Sequence, residues 1–100
     1  MSVYYPVGTI VKLTIDPEMF FMISGYLTRQ GDGKLYDYFA VPFPMGLSKE
    51  NQYIIFNRDC ITEVVFNGYC DEECQNLLND FDQIAKNFND LITNDNITGR

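Results

Sequence analysis

The sequence predicts an α+β domain: a twisted antiparallel sheet of four or five strands with one long C-terminal amphipathic helix. Three observations predict it. Before Gly68, apolar residues fall in short runs rich in Val, Ile, Phe and Tyr, separated by Gly, Pro, Asn and Asp. After Asp71 they recur at steps of three and four, the helical spacing. A chain of 100 residues, 46% hydrophobic with 8 Phe and 7 Tyr, holds one core and no more. The expected organisation is a single domain, 1–100, with a strand-rich region at 1–69, the helix at 70–93 and a polar tail at 94–100.

The first strand is TIVKLTI, Thr9 to Ile15, with Val11, Leu13 and Ile15 on one face and Lys12 and Thr14 on the other; it stops at Asp16-Pro17. FFMISGYLT, Phe20 to Thr28, is the second, and Gly25 inside it marks a bulge or a close backbone approach. GDGK at 31–34 is a turn signal, so Tyr36 to Val41 returns antiparallel to the second strand. Pro42 then ends that strand, and a loop begins through Met45-Gly46. Phe43, between Pro42 and Pro44, reads either as a lid over the core or as a preformed anchor at a binding rim. YIIF, Tyr53 to Phe56, is a short strand or an apolar plug. ITEVVF, Ile61 to Phe66, is a strand that ends at the turn-prone Asn67-Gly68.

In the helix the stripe is Cys74, Leu77, Leu78, Phe81, Ile84, Ala85, Phe88, Leu91 and Ile92. Asp71, Glu72 and Glu73 supply an N-cap candidate and first-turn carboxylates suited to the positive end of the helix dipole. A helix of about 22 residues runs ~33 Å, whereas ordinary strands cover only ~17–20 Å. Its second half therefore either crosses the sheet obliquely or buries its stripe on something else. Phe81, Phe88, Leu91 and Ile92 are candidate partner-binding residues on that second reading, and Phe43 is a fifth.

The net charge is −7, and only 7 Lys and Arg are scattered along the chain. Nucleic acid and anionic membrane surfaces are poor partners for such a balance, because phosphate binding needs clustered cations. Between Asp71 and Asp95 there are Asp71, Glu72, Glu73, Asp80, Asp82, Asp90 and Asp95 against Lys86 alone, a solvated helix face or a surface steered to a basic partner. The opening MSVYYPVGTI has no basic n-region, and no segment approaches the ~20 apolar residues of a membrane span, so a cytoplasmic protein is expected. Cys60, Cys70 and Cys74 are then expected as free thiols.

Catalytic signals are weak. The chain has no His, which removes the commonest general base and metal ligand. Cys70 and Cys74 lack further ligands at zinc spacing, and the carboxylates beside Cys74 oppose thiolate formation. No catalytic residue, cofactor site or metal site is assigned, and the expectation is a non-enzymatic protein. PFP lacks the spacing and the flanking Arg of an SH3 ligand.

Four segments in order carry a resemblance: VGTIVKL, FMISGYL, YDYFAVPFPMG and FNRDCITEVVFNGYCDEE. VGTIVKL supplies a glycine before a hydrophobic strand, Gly8 to Leu13. YDYFAVPFPMG, Tyr36 to Gly46, runs a YDY strand into a proline-aromatic-proline-x-glycine turn. FNRDCITEVVFNGY, Phe56 to Tyr69, fits FN-x-x-x-I-x-x-V-x-F-x-GY. Together they resemble the small uncharacterised domain family encoded beside LXG-effector genes in type VIIb secretion loci of Gram-positive bacteria. The resemblance covers about two thirds of the chain. It implies an accessory protein that binds a cognate LXG effector in the cytoplasm as a chaperone or targeting factor for type VII secretion. It also implies Gly46 and Gly68 as turn positions and Tyr36, Tyr38, Phe43 and Tyr69 as an aromatic cluster. The alternatives are an immunity protein whose acidity suits a basic toxin, and a homodimeric structural module.

Overall fold

The computed structural model describes residues 4–97, with side chains over residues 4–87. Five strands form one antiparallel sheet: β1 (Ile10–Leu13), β2 (Asp16–Arg29), β3 (Leu35–Phe43), β4 (Ile54–Phe56) and β5 (Ile61–Phe66). Helix α1 (Glu72–Ile97) follows. The spatial order is β4-β3-β2-β1-β5, with β5 carried round to the free edge of β1. Among the described residues no helix is long and apolar enough to cross a membrane.

Two strand limits differ from the sequence reading. β1 ends at Leu13, and Thr14-Ile15 make a tight connection that leaves Leu13 opposite Asp16 and Ile15 67% exposed. Ile15 is a turn residue, not a core one. β2 then starts at Asp16 and passes through Pro17; β3 pairs with it only as far as Phe20, so on that side Pro17 interrupts no ladder. Likewise β3 continues through Pro42 to Phe43, which pairs with Phe20. β4 pairs only with Tyr38, Phe39 and Ala40, so the missing N–H of Pro42 meets an empty edge. YIIF resolves as a strand, β4, at that edge.

β2 has 14 residues, far more than the ordinary strand length on which the expected mismatch with the helix rested. The helix itself has 26 residues and continues to Ile97, through part of the stretch read as a polar tail. Asp71 caps it: its Oδ1 accepts the backbone N–H of Cys74 at 2.9 Å.

One face of the sheet and the helix enclose the core, built from Val11, Leu13, Phe21, Ile23, Tyr38, Ala40, Phe56 and Leu78 with Tyr4. Of the expected helical stripe, Leu78 is buried and Cys74 and Phe81 pack against the core, while Leu77 and Ile84 stand about half exposed. The N-terminal segment is held between the layers by tyrosine hydroxyls. Tyr38 Oη accepts the N–H of Tyr5 at 2.8 Å, Tyr26 Oη accepts that of Val7 at 2.6 Å, and Tyr4 donates to Asp37 Oδ1 at 3.1 Å. Burial pushes the Tyr38 phenol up to about 12 and raises that of Tyr26. Burial, and secondarily the Asp37 carboxylate, raises that of Tyr4.

Cys70 and Cys74 form a disulfide across the start of α1, and Cys60 remains the free cysteine. The expectation of three free thiols is thereby corrected: Asp71 caps the helix between the two cysteines, and the turn it organises brings their Cα atoms to 5.2 Å, within bridging range.

Candidate functional site: the open face of the sheet

The helix covers one face of the sheet only. Residues opposed across an antiparallel register share a face, so the partners of the core residues' chain neighbours can be read off in rows. In the first row Phe66 of β5 lies beside Ile10 of β1, then Met22 of β2 and Val41 of β3. The second runs Glu63, Lys12, Phe20, Phe43. In the third, Gly25 faces Phe39, and Phe39 faces Ile55 of β4. Apart from Lys12, Glu63 and Gly25, every member is a large apolar side chain.

These side chains shade one another, and among the described residues nothing else covers them. Ile10, Met22, Val41, Phe39 and Ile55 are half-buried, whereas Phe20 and Phe43 are 37% and 38% exposed and Phe66 is 60% exposed. Tyr53, half exposed, extends the third row by an edge-on contact with Phe39, ring centroids 5.5 Å apart. A surface of this kind across five strands is larger than the isolated apolar side chains ordinary surfaces carry.

Backbone geometry supports the third row. Ser24 is an extra residue between Ile23, opposite Ala40, and Gly25, opposite Phe39. The bulge brings Gly25 onto the open face, and the Phe39 ring lies directly over it. Lys12 crosses the second row: its Nζ sits 5.4 Å from the centre of the Phe20 ring and 3.9 Å from Glu63 Oε1.

The two edges of the sheet are less inviting than its face. β5 carries two register shifts against β1 within six residues, and β4 has three residues in all. Bulged and very short edge strands are poor templates for another chain's backbone.

At one end of the second row is a cleft of about 320 Å³ lined by Asp16, Glu18, Met19, Phe20, Phe43 and Met45. A second hollow, about 430 Å³, lies along the start of α1 between Asp71, Glu73, Cys74, Asn76, Leu77 and Asp80. Among the described residues no group of three or more His, Cys, Asp or Glu is placed to hold a metal ion.

The residues singled out in the sequence separate. Phe43 stands at the rim of the open face, 38% exposed, and belongs to no core cluster, so it is not a lid over the core. Phe81 turns inward, with its ring 4.6 Å from that of Tyr26 and 6.0 Å from that of Tyr4. Phe88, Leu91 and Ile92 are within α1, but their side chains lie outside the described residues. The expected cluster of Tyr36, Tyr38, Phe43 and Tyr69 does not assemble. Tyr38 is in the core, the Tyr36 hydroxyl donates to Asp32 in the β2–β3 turn, and Tyr69 is 83% exposed.

Sequence reasoning missed Ile10, Phe20, Met22, Phe39, Val41, Ile55 and Phe66 as a surface. The signal was present in FFMI and FAVPF, strands apolar at consecutive positions and hence on both faces. With one helix to cover two faces, one of them stays open.

No curated protein matches the chain, and no solved structure does. A family model spans residues 4–77, all five strands and the first six residues of α1, and on that match the chain belongs to the family described as Domain of unknown function (DUF4176).

Proposed function

We propose that this is a non-enzymatic accessory protein that binds an LXG effector in the cytoplasm, as its chaperone or targeting factor for type VII secretion, through the open face of the sheet. The observation that carries the binding role is the apolar surface of Phe66, Ile10, Met22 and Val41 with Phe20 and Phe43 beside it, on the side of the sheet that α1 leaves uncovered. Fully covering an exposed side chain of this size is worth roughly 1.5–3 kcal/mol, and the part of each still exposed here is the share a partner can gain. The LXG effector as partner comes from the sequence resemblance at Gly8–Leu13, Tyr36–Gly46 and Phe56–Tyr69.

The test is co-expression with the LXG protein of the same locus, divided into its LXG and toxin halves, followed by size-exclusion chromatography with light scattering. A complex with the LXG half fits a targeting factor; one with the toxin half turns the reading to immunity. The double substitution Phe43→Asp with Phe66→Asp leaves the core untouched and is expected to abolish the complex. If that variant binds normally while Phe88→Asp with Leu91→Asp does not, the helix is the docking surface and the sheet face is not.

A further inference from the structure

The cleft at the end of the second row differs in chemistry from the rest of the open face. Its floor is the edge of the apolar surface, Phe20 from β2 and Phe43 from β3, with Met45 beside them, a flexible side chain that adapts to what lies on it; Met19, which packs against the core, closes one end. Its rim carries two exposed carboxylates, Asp16 and Glu18. Asp16 Oδ1 accepts the backbone N–H of Glu18 at 3.2 Å, and the two acidic residues, two apart in β2, share one face of the strand. The nearest base along the sheet, Lys12, is engaged with Glu63, and among the described residues neither Asp16 nor Glu18 has a basic partner. Lys12 also shows what the Phe20 ring attracts, since its ammonium lies over that ring.

We propose that this cleft seats a basic side chain, arginine above all, of the polypeptide bound on the open face: the aliphatic stem lies on Phe20, Phe43 and Met45, and the cationic head reaches Asp16 and Glu18. The assignment rests on the partner-binding reading and adds to it the chemistry the partner must bring. A cleft of about 320 Å³ holds a long side chain with the backbone that carries it. An aromatic floor with an acidic rim matches the guanidinium group, which stacks on rings and pairs with carboxylates at once. A net charge of −7 favours the approach of a basic segment. The cleft also fixes register, because a peptide on a purely apolar face can slide and one with a seated charge cannot.

Titration of the isotope-labelled protein with N-acetyl-arginine amide, followed by amide chemical shifts, tests the seat without any partner. The expected result is perturbation confined to residues 16–20 and 43–45, with binding at least about fivefold weaker for N-acetyl-norleucine amide and for the variant Asp16→Asn with Glu18→Gln. Equal binding of the norleucine probe overturns the proposal, as does equal binding by the variant, shifts spread over all the acidic residues, or no shift at all. Failure of the two readings is distinguishable. If Phe43→Asp with Phe66→Asp spares effector binding, the sheet-face reading falls, and the seat falls with it as a partner contact. If that variant abolishes binding but the arginine probe does not seat, only the cation seat falls.

Discussion

The ring of Phe39 packs against Gly25 on the neighbouring strand, so close that a β-carbon on Gly25 would overlap the ring. The Ser24 bulge brings Gly25 into this contact, and the Tyr53 ring packs edge-on with Phe39. Gly25→Ala is therefore expected to displace Phe39 and to cost roughly 1–3 kcal/mol in denaturant unfolding. In a Phe39→Ala background the same change should cost much less, and that double-mutant cycle is the check. Equal costs in the two backgrounds would mean that Gly25 matters for its backbone alone.

Thr9 joins the start of β1 to the end of β5. It is fully buried, and its Oγ1 accepts the N–H of Gly68 at 3.0 Å. Thr9→Val keeps the shape and leaves that N–H without a partner, at an expected cost of about 1–3 kcal/mol, whereas Thr9→Ser should retain most of the bond. A β-carbon at Gly68 would stand 2.6 Å from the carbonyl oxygen of Val7 and 2.8 Å from the nitrogen of Thr9, both backbone atoms. Gly68→Ala should thus destabilise at least as much as Thr9→Val, measured by the same unfolding midpoints.

Stability should fall on the alkaline side. Burial holds the Tyr38 phenol neutral up to about 12, against an ordinary 10.0, so the unfolded chain loses its proton first. This contribution is complete below about pH 10 and is lost as the pH rises towards about 12; Tyr4 and Tyr26, also raised, act in the same direction. Tyr38→Phe removes one of these titrations and leaves the N–H of Tyr5 unpaired, so it should lower stability at neutral pH by about 1–3 kcal/mol and flatten the alkaline slope. Urea midpoints between about pH 8 and 11 for both proteins test it.

The Cys70–Cys74 bridge ties the first turn of α1 and stands apart from the open sheet face. Thiol titration of the unreduced protein should find one reactive cysteine, Cys60, and after reduction all 3. Opening so short a loop should cost at most about 2 kcal/mol. Effector binding should not change on reduction; a loss of binding would move the docking surface to the start of the helix. The cap at Asp71 is a separate contribution, and Asp71→Ala should cost about 1 kcal/mol whether or not the bridge is closed.

The local pattern of this chain determined its elements. Alternation in TIVKL, the GDGK turn, the ITEVVF run and the three-and-four spacing after Asp71 each specify backbone conformation through neighbours a few residues away, and each is where the structure has it. Gly25 was legible as a bulge or a close approach and is both. The ends of strands were less legible. Pro17 and Pro42 break a strand only where a neighbour needs their N–H, and whether one does depends on how far β3 and β4 extend.

What the tertiary structure alone decided is which apolar residues face the core and which face outwards. Phe20 and Phe21 are alike in sequence; the helix covers the second and not the first. Phe43 and Phe81 were alike as candidates, and the fold sends one to the rim and the other between two tyrosines. The disulfide is of the same kind, set by the capped turn that brings Cys70 to Cys74. Side-chain type determines that a residue seeks burial, but the supply of cover is a property of the whole fold, and here one helix serves a sheet that is apolar on both faces.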